Sequence, residues 1–283
     1  NAGLAALIGA RAAHRMRQSA RRDAWLAGIS HDASLKTARL MTVTELLVDD
    51  HQPEAALDAV SELNASGTRH IHALKWAMKA NQQARNWPEV LRLVRSLDKH
   101  KALHPALSSR LRELAYDALL TDEAHDAESI RRVWASVPSS ERVKPYIAAR
   151  AAQALNARGL HDEARITAEE SLKVEWDDRV VRAYRDAAGQ PGSPTLLAQI
   201  EHCEEWIKAR PNDAELALTL GSLCLKQKLW GKAQRYLEQA LSDASEGRMV
   251  REAHLKLAQM HEALDQHEEA AAHYRQCALA SIL

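Results

Sequence analysis

Apolar residues recur at helical spacing along most of the chain, and the pattern is clearest between Ala214 and Leu241. The first half of this stretch carries an apolar stripe at three- and four-residue intervals. A second stripe of the same kind follows a short turn that contains Trp230 and Gly231. Each stripe predicts an amphipathic helix that buries one face, and neither helix can bury that face alone. The stretch therefore predicts a helical hairpin that packs against similar neighbours.

The spacing inside this hairpin resembles the tetratricopeptide repeat, a helical hairpin of about 34 residues. Its signature positions hold Leu220, Gly221, Ala233, Leu237 and Ala240, whereas Ala217 replaces the signature Trp and Cys224 replaces the signature Tyr. Moving the same frame along the chain gives roughly eight hairpins, as the period of the repeat requires. They start near residues 1, 36, 71, 108, 145, 179, 214 and 251. We therefore predict an all-α fold in which residues 1–283 form a single repeat array, wound into a right-handed superhelix.

Proline positions test this frame independently, because proline breaks helix interiors and suits first turns and connections. Pro53 and Pro88 fall at the predicted start of second helices, and the other prolines fall in turns or between hairpins. The hairpin near Arg179 is the most irregular, since the long turn 189–194 replaces a tight one. The prolines are consistent with the predicted hairpins.

The net charge and the cysteine positions limit the classes of partner that the sequence predicts for this protein. The chain has 38 Lys and Arg against 38 Asp and Glu, so its formal net charge is zero and bulk attraction to nucleic acid is not expected. The cysteines Cys203, Cys224 and Cys277 stand singly on apolar repeat positions, which predicts buried thiols and neither disulfides nor a metal site. No stretch reaches the roughly 18 apolar residues that a membrane span needs. These features favour protein partners.

Catalytic signatures are missing from the sequence. The glycine patterns of nucleotide sites and of serine hydrolases do not occur. Among the histidines, His254 and His261 occupy inward repeat positions, and seven residues of helix separate them by roughly 10 Å, too far to share one metal ion. We therefore predict a protein that is not an enzyme and that has neither a cofactor nor a catalytic residue.

A binding surface is expected on the first helices, whose frame positions 2, 5, 9, 12 and 13 line the groove in this repeat family. In the third, fourth and fifth frames these positions hold basic, amide and aromatic side chains. The candidate binding residues are His72, Lys75, Lys79, Gln82, Arg112, Tyr116, Tyr146, Gln153 and Asn156. Such a groove suits an acidic peptide, a carboxylate-bearing ligand or a partner loop. An ordinary hydrated face is the alternative.

Several segments also resemble the HemY family of proteobacterial membrane proteins associated with haem biosynthesis. They are Leu220-Gly221, Trp230-Gly231-Lys232-Ala233, the run from Glu268 to Arg275, and Glu175-Trp176-Asp177-Asp178-Arg179. The resemblance implies two upstream transmembrane helices, absent from this chain, that anchor the repeats on the cytoplasmic side of the bacterial inner membrane. It also implies a supporting role in late haem biosynthesis, with haem-pathway enzymes as partners. The first residue is Asn, so a preceding segment is expected.

Two classes of function remain open. The first is a non-catalytic scaffold that organises haem-pathway enzymes. The second is a carrier whose basic groove holds a tetrapyrrole by its propionates, for which only His72 faces the groove as a ligand. A generic repeat scaffold from envelope assembly is a further alternative. The scaffold is favoured, because haem carriage needs a His or Cys ligand facing an apolar pocket.

Overall fold

The computed structural model describes residues 2–65 and 71–280, and apart from one short 3₁₀ turn (Ala33–Leu35) the regular elements in these ranges are α-helices. In chain order they are α1 (Ala2–Arg15), α2 (Ser19–Ala27), α3 (Lys36–Asp49), α4 (Pro53–Ala65), α5 (Ile71–Gln83), α6 (Trp87–Lys99), α7 (Pro105–Thr121), α8 (Ala127–Ser136), α9 (Ser139–Arg142), α10 (Pro145–Asn156), α11 (His161–Val174), α12 (Asp178–Asp186), α13 (Pro194–Ala209), α14 (Ala214–Lys226), α15 (Trp230–Asp243), α16 (Gly247–Ala263) and α17 (His267–Leu279). The predicted all-α fold is confirmed.

The first helices begin at or near the predicted residues. Helices α3, α5, α10 and α14 start at residues 36, 71, 145 and 214, as predicted, whereas α16 already starts at Gly247. The second helix α4 starts at Pro53, and Pro88 is the second residue of α6. The short helix α9 was not predicted and fills the connection between Pro138 and Pro145. That residues 1–283 form one uninterrupted array stays a prediction.

A residue in the left-handed backbone region follows the first helix in most hairpins. This conformation closes a helix by pointing the next amide groups back at its last carbonyls, as Leu229 N does towards Cys224 O at 2.9 Å. Gly159 is the one glycine among these residues, and the others have side chains that must tolerate the strain. The six residues are Arg17, His51, Arg85, Gly159, Lys228 and Asp265.

The turn between α12 and α13 is built from specific hydrogen bonds. Gln199 is buried, and its Oε1 accepts from Gly189 N at 2.7 Å. Gly192 has a φ of 77° and donates its N–H to Gln227 Oε1 at 2.8 Å. Ser193 then caps α13 by accepting from Leu196 N, and Pro194 is the first helical residue. The predicted irregular turn is thus a defined structure.

The chain divides into two compact units, of which the first ends at Leu119 and the second begins at Leu120. In the second unit, one continuous apolar core extends from α10 to α16 and includes Tyr184, Leu216 and Leu220, all fully buried. In the first unit, the described residues form several separate, smaller apolar clusters. Within the described ranges, none of the helices combines the length and apolar character required to cross a membrane.

Candidate functional site

The second unit has a cleft of about 350 Å³ on the face formed by the first helices α12, α14 and α16. Its polar lining comes from successive hairpins and contains both signs of charge. The charged and hydroxyl residues that line it are Arg185, Asp186, Ser222, Lys226, Glu252 and Lys256. Ala188, Leu223 and Leu225 provide the apolar part. A cleft of this kind can hold a short segment of a partner by both charge and apolar contact.

A buried carboxylate fixes the helices behind this cleft. Glu215 on α14 is only 1% exposed, and arginines from both neighbouring first helices reach it. Arg185 Nη1 lies 2.8 Å from Glu215 Oε1, and Arg248 Nη2 lies 2.6 Å from Oε2. Arg182 adds a third contact at 3.3 Å. Because a buried charge is tolerated only when it is paired, this network holds α12, α14 and α16 in one arrangement.

The network extends from Glu215 into the cleft. Arg185 Nη2 also contacts Glu252 Oε1 at 3.0 Å, so Arg185 joins the buried carboxylate to one that lines the cleft. Burial alone would raise the pKa of Glu215, but the positive charges of Arg185, Arg248 and Arg182 hold that pKa below its ordinary value. Glu215 is therefore ionised at neutral pH, and the guanidinium groups of Arg185 and Arg248 are already shared with carboxylates of the protein.

The two lysines of the cleft are placed differently from these arginines. Lys226 is exposed, and its Nζ donates to Ala188 O at 3.0 Å, which leaves two ammonium protons for a ligand. Lys256 is half-buried on α16. The cleft carboxylate Glu252 pairs with Arg185 and Arg248, and no ion pair of the described residues includes either lysine. The cleft thus presents two cationic groups that a carboxylate can reach.

Four of the predicted binding residues lie on α5, in the first unit. His72 and Lys79 are exposed, and Lys75 and Gln82 are half-buried. Lys79 Nζ lies 4.5 Å from the centre of the Trp76 ring, a cation–π contact on the same helix. These positions agree with a solvent-facing side of α5. That this side binds a ligand stays a prediction.

The structure places Arg112 and Tyr116 differently from the expectation that both project into an open groove. Arg112 Nη1 pairs with Asp98 Oδ2 of α6 at 2.9 Å, and Tyr116 is only 3% exposed. The physical reason for the Arg112 pairing is that α7 packs against α6, where Leu111 shares an apolar cluster with Val94 and Leu97 and Asp98 supplies the carboxylate. These two side chains are part of the internal structure of the first unit.

The remaining three predicted residues lie on α10, in the second unit. Gln153 is exposed, whereas Tyr146 is half-buried with Arg150 and Arg179 each 5.7 Å from its ring centre. The amide of Asn156 is already occupied, because Nδ2 donates to Asp186 O at 3.1 Å and Oδ1 bonds to His161 Nδ1. The nine predicted residues thus divide between two units, and a single groove that combines them stays a prediction.

Sequence reasoning missed the cleft of the second unit, although a usable signal was present. Counting the same groove positions in the frame that starts at residue 214 gives Glu215, Leu218, Ser222, Leu225 and Lys226. The last three line the cleft, and Glu215 lies behind it. Position 2 of the last frame is Glu252, which also lines the cleft. Arg185 is not at one of these groove positions, because the hairpin that contains it is irregular.

The thiol groups and histidines give no metal site of three or more ligands within residues 2–65 and 71–280. Cys203 and Cys224 are buried, and burial raises the pKa of both thiols, that of Cys224 to about 12. Both are therefore protonated and unreactive at neutral pH. His254 and His261 do lie on the same helix, as expected, and the ring of His273 from α17 contacts both.

No family model and no curated protein matches this chain. Among solved structures, the crystal structure of the APC/C hetero-tetramer Cut9–Hcn1 is similar at a TM-score of 0.42 and 14% identity, over 96% of this chain and 59% of that one. This chain thus spans less than two thirds of that protein. Two structures of the human IFIT1 dimer, with PPP-AAAA and with m7Gppp-AAAA, are similar at TM-scores of 0.40 and 0.41 and 15% and 14% identity, each over 98% of this chain and 68% of that one. The helical hairpins themselves, and not these scores, show that the chain has an all-α, tetratricopeptide-like fold.

Proposed function

We propose that this protein is a non-catalytic protein-interaction scaffold, and that the cleft between α12, α14 and α16 binds a carboxylate-bearing segment of a protein partner. The observation that carries the proposal is the pair of lysines, Lys226 and Lys256, on neighbouring first helices that a buried ion network fixes. Two ammonium groups can bind a carboxylate through charge-assisted hydrogen bonds. Because the helices that carry them are already held in place, binding loses little conformational entropy. The leucines beside the lysines provide apolar contact for a neighbouring side chain.

Charge reversal in the cleft tests this proposal. A partner would first be identified by affinity pull-down from native membranes, and its binding would then be measured with purified proteins at low and high salt. We expect Lys226→Glu/Lys256→Glu to weaken binding at least tenfold at low salt, because two attractive contacts become repulsive. The difference should shrink at high salt, since charges at the rim of a cleft are screened.

The matched control is Lys173→Glu/Lys208→Glu, which changes the net charge equally. Both control lysines are exposed and lie on the second helices α11 and α13, away from the cleft. Binding that the two double variants reduce by the same factor would show a non-specific charge effect and would contradict the cleft as the binding site.

A more specific proposal concerns the place in the cell where the scaffold acts, and it rests on the sequence resemblance to the HemY family. We place the repeats on the cytoplasmic side of the bacterial inner membrane, where they would hold enzymes of late haem biosynthesis together. The pull-down tests this directly, because at least one enzyme that acts on a porphyrin or its precursor should be enriched. If only envelope-assembly proteins are enriched, the generic envelope scaffold replaces this setting while the scaffold function stands.

A tetrapyrrole carrier is the second candidate, favoured by the lysines, which can also bind propionate groups. The described side chains that line the cleft include neither His nor Cys, and His72 is exposed on α5. An axial ligand in an apolar pocket, which haem carriage requires, therefore has no support at either place. Haem titration followed by absorbance decides between the two: a saturable Soret shift that His72→Ala abolishes would favour the carrier.

A further inference from the structure

Three imidazole rings meet where α16 packs against α17, in the last hairpin. His254 and His261 lie on α16, and His273 lies on α17 between them. Ring centres are 5.2 Å apart for His254 and His273, and 5.3 Å apart for His261 and His273. The second pair is stacked nearly parallel, at an angle of 8°. These rings therefore join the two helices through polar and stacking contacts.

The closest contact joins two nitrogens that cannot both carry a proton. His254 Nδ1 and His273 Nδ1 are 3.0 Å apart, so one must donate while the other accepts. His261 Nδ1 lies 2.6 Å from Gln266 Oε1 and therefore donates to this amide oxygen. When both His254 and His273 become imidazolium, both facing nitrogens are donors, and the hydrogen bond turns into repulsion between like charges.

The surroundings determine at which pH this happens. Burial lowers the pKa of both His254 and His273, and the nearby His254 and His261 lower that of His273 further. Glu238 on α15 acts in the opposite direction on His273. Both folded-state pKa values thus lie below the ordinary histidine value of about 6.5. The neutral rings therefore stabilise the folded hairpin fully above about pH 6.5, and this stabilisation is lost as the pH falls through the folded-state pKa values.

We propose that His254, His261 and His273 form an acid-sensitive contact that holds α17 on α16 at neutral pH and releases it in mild acid. The bond from Tyr274 to Glu262, at 2.8 Å, also joins the hairpin but involves no histidine. Because α16 also carries Glu252 and Lys256, release of α17 removes one support of the helix that lines the cleft. The contact itself requires no ligand, so this proposal is independent of the proposed function.

Amide hydrogen exchange on the full chain at about pH 7.5 and about pH 5.5, corrected for intrinsic exchange, tests the proposal. In the wild type we expect the amides of α17 to lose protection by roughly 3- to 10-fold at the lower pH, because the open state binds more protons. In His273→Gln, which keeps a polar side chain without a titrating ring, this pH response should largely disappear. The control is His267→Gln, an exposed residue at the start of α17, which should respond like the wild type.

Two results would overturn the proposal. One is equal protection of α17 in the wild type at both pH values, and the other is an undiminished pH response in His273→Gln. If His273→Gln does not fold, His254→Gln takes its place. A histidine side-chain NMR titration of the wild type provides an independent measurement, in which ordinary pKa values for the rings of both His254 and His273 would also contradict the proposal.

Discussion

Gly221 lies where α14 crosses α15, and the packing there leaves no room for a side chain. A Cβ atom at this position would lie 2.8 Å from Leu237 Cγ and 3.1 Å from the backbone nitrogen of Leu237. The glycine of the repeat signature thus permits close contact between the two helices of the hairpin, as the sequence pattern implied.

Replacing Gly221 by Val is therefore expected to lower the free energy of unfolding by about 1–3 kcal/mol, the usual cost of overpacking a tight contact. Thermal denaturation monitored by circular dichroism measures this effect. Gly231→Ala is the control, because a Cβ there meets nothing within 4 Å. It should leave the melting temperature unchanged or raise it slightly. An unchanged melting temperature in Gly221→Val would show that the helices can separate at this crossing without cost.

Glu215 provides a second prediction at the level of one residue. Glu215→Gln removes one charge from a buried network and leaves the surrounding arginines short of a partner, so we expect a loss of about 3–5 kcal/mol at neutral pH. Since the folded-state pKa of Glu215 is lowered, the carboxylate contributes stability above its unfolded pKa of about 4.3 and loses it as the pH falls through the folded value. The difference in the free energy of unfolding between the variant and the wild type should decrease below about pH 4.

Urea denaturation at about pH 7 and about pH 3.5 checks both parts of this prediction. Glu201→Gln, an exposed residue on α13, serves as the control and should cost less than about 0.5 kcal/mol. A gap that stays constant with pH would mean that the carboxylate is not ionised in the folded protein.

At the scale of the elements, the turn between α12 and α13 depends on one buried amide. Gln199 accepts from Gly189 N at 2.7 Å and donates to Tyr184 O at 3.4 Å, so it ties α13 to the end of α12. Gln199→Ala leaves a buried N–H without a partner, which costs about 1–3 kcal/mol. Chemical denaturation measures the loss, and Gln259→Ala, at an exposed site on α16, is the control. Equal stability of the two variants would mean that water replaces the Gln199 amide.

Helix positions were the part that the sequence allowed one to predict best. Apolar stripes and prolines such as Pro53 and Pro145 locate the helices, because burial and proline stereochemistry act within a few residues. Helix α9 escaped prediction because a four-residue helix has no periodicity to detect. The partners of individual side chains could not be predicted for a different reason. Arg112 meets an aspartate 14 positions earlier, and frame positions specify the face of a helix but not which neighbouring helix supplies a charge.

At the scale of the whole molecule, the two units have different cores. The part of the second unit from α10 to α16 buries one continuous cluster that includes Tyr184 and Leu216, whereas the described residues of the first unit form smaller, separate clusters. In repeat arrays each hairpin is stabilised mainly by its neighbours. A hairpin in a larger apolar core should therefore open less often than one in a small cluster. Amide exchange at neutral pH should therefore show slower exchange in α14 and α15 than in α3 and α4. Equal protection of both pairs would indicate that the chain opens as one cooperative unit.

The ion network behind the cleft joins residues that are one repeat apart. Arg182 and Glu215 are separated by 33 positions, and so are Glu215 and Arg248. Loss or gain of a single residue within one of these helices would rotate its partner in the network by about 100°, and a buried charge would remain unmatched. We therefore expect exchanges of sequence in this segment to preserve stability only when they keep the length of each helix. The segment from α12 to α16 is therefore expected to keep its stability in a designed repeat protein only when it is transplanted as one block.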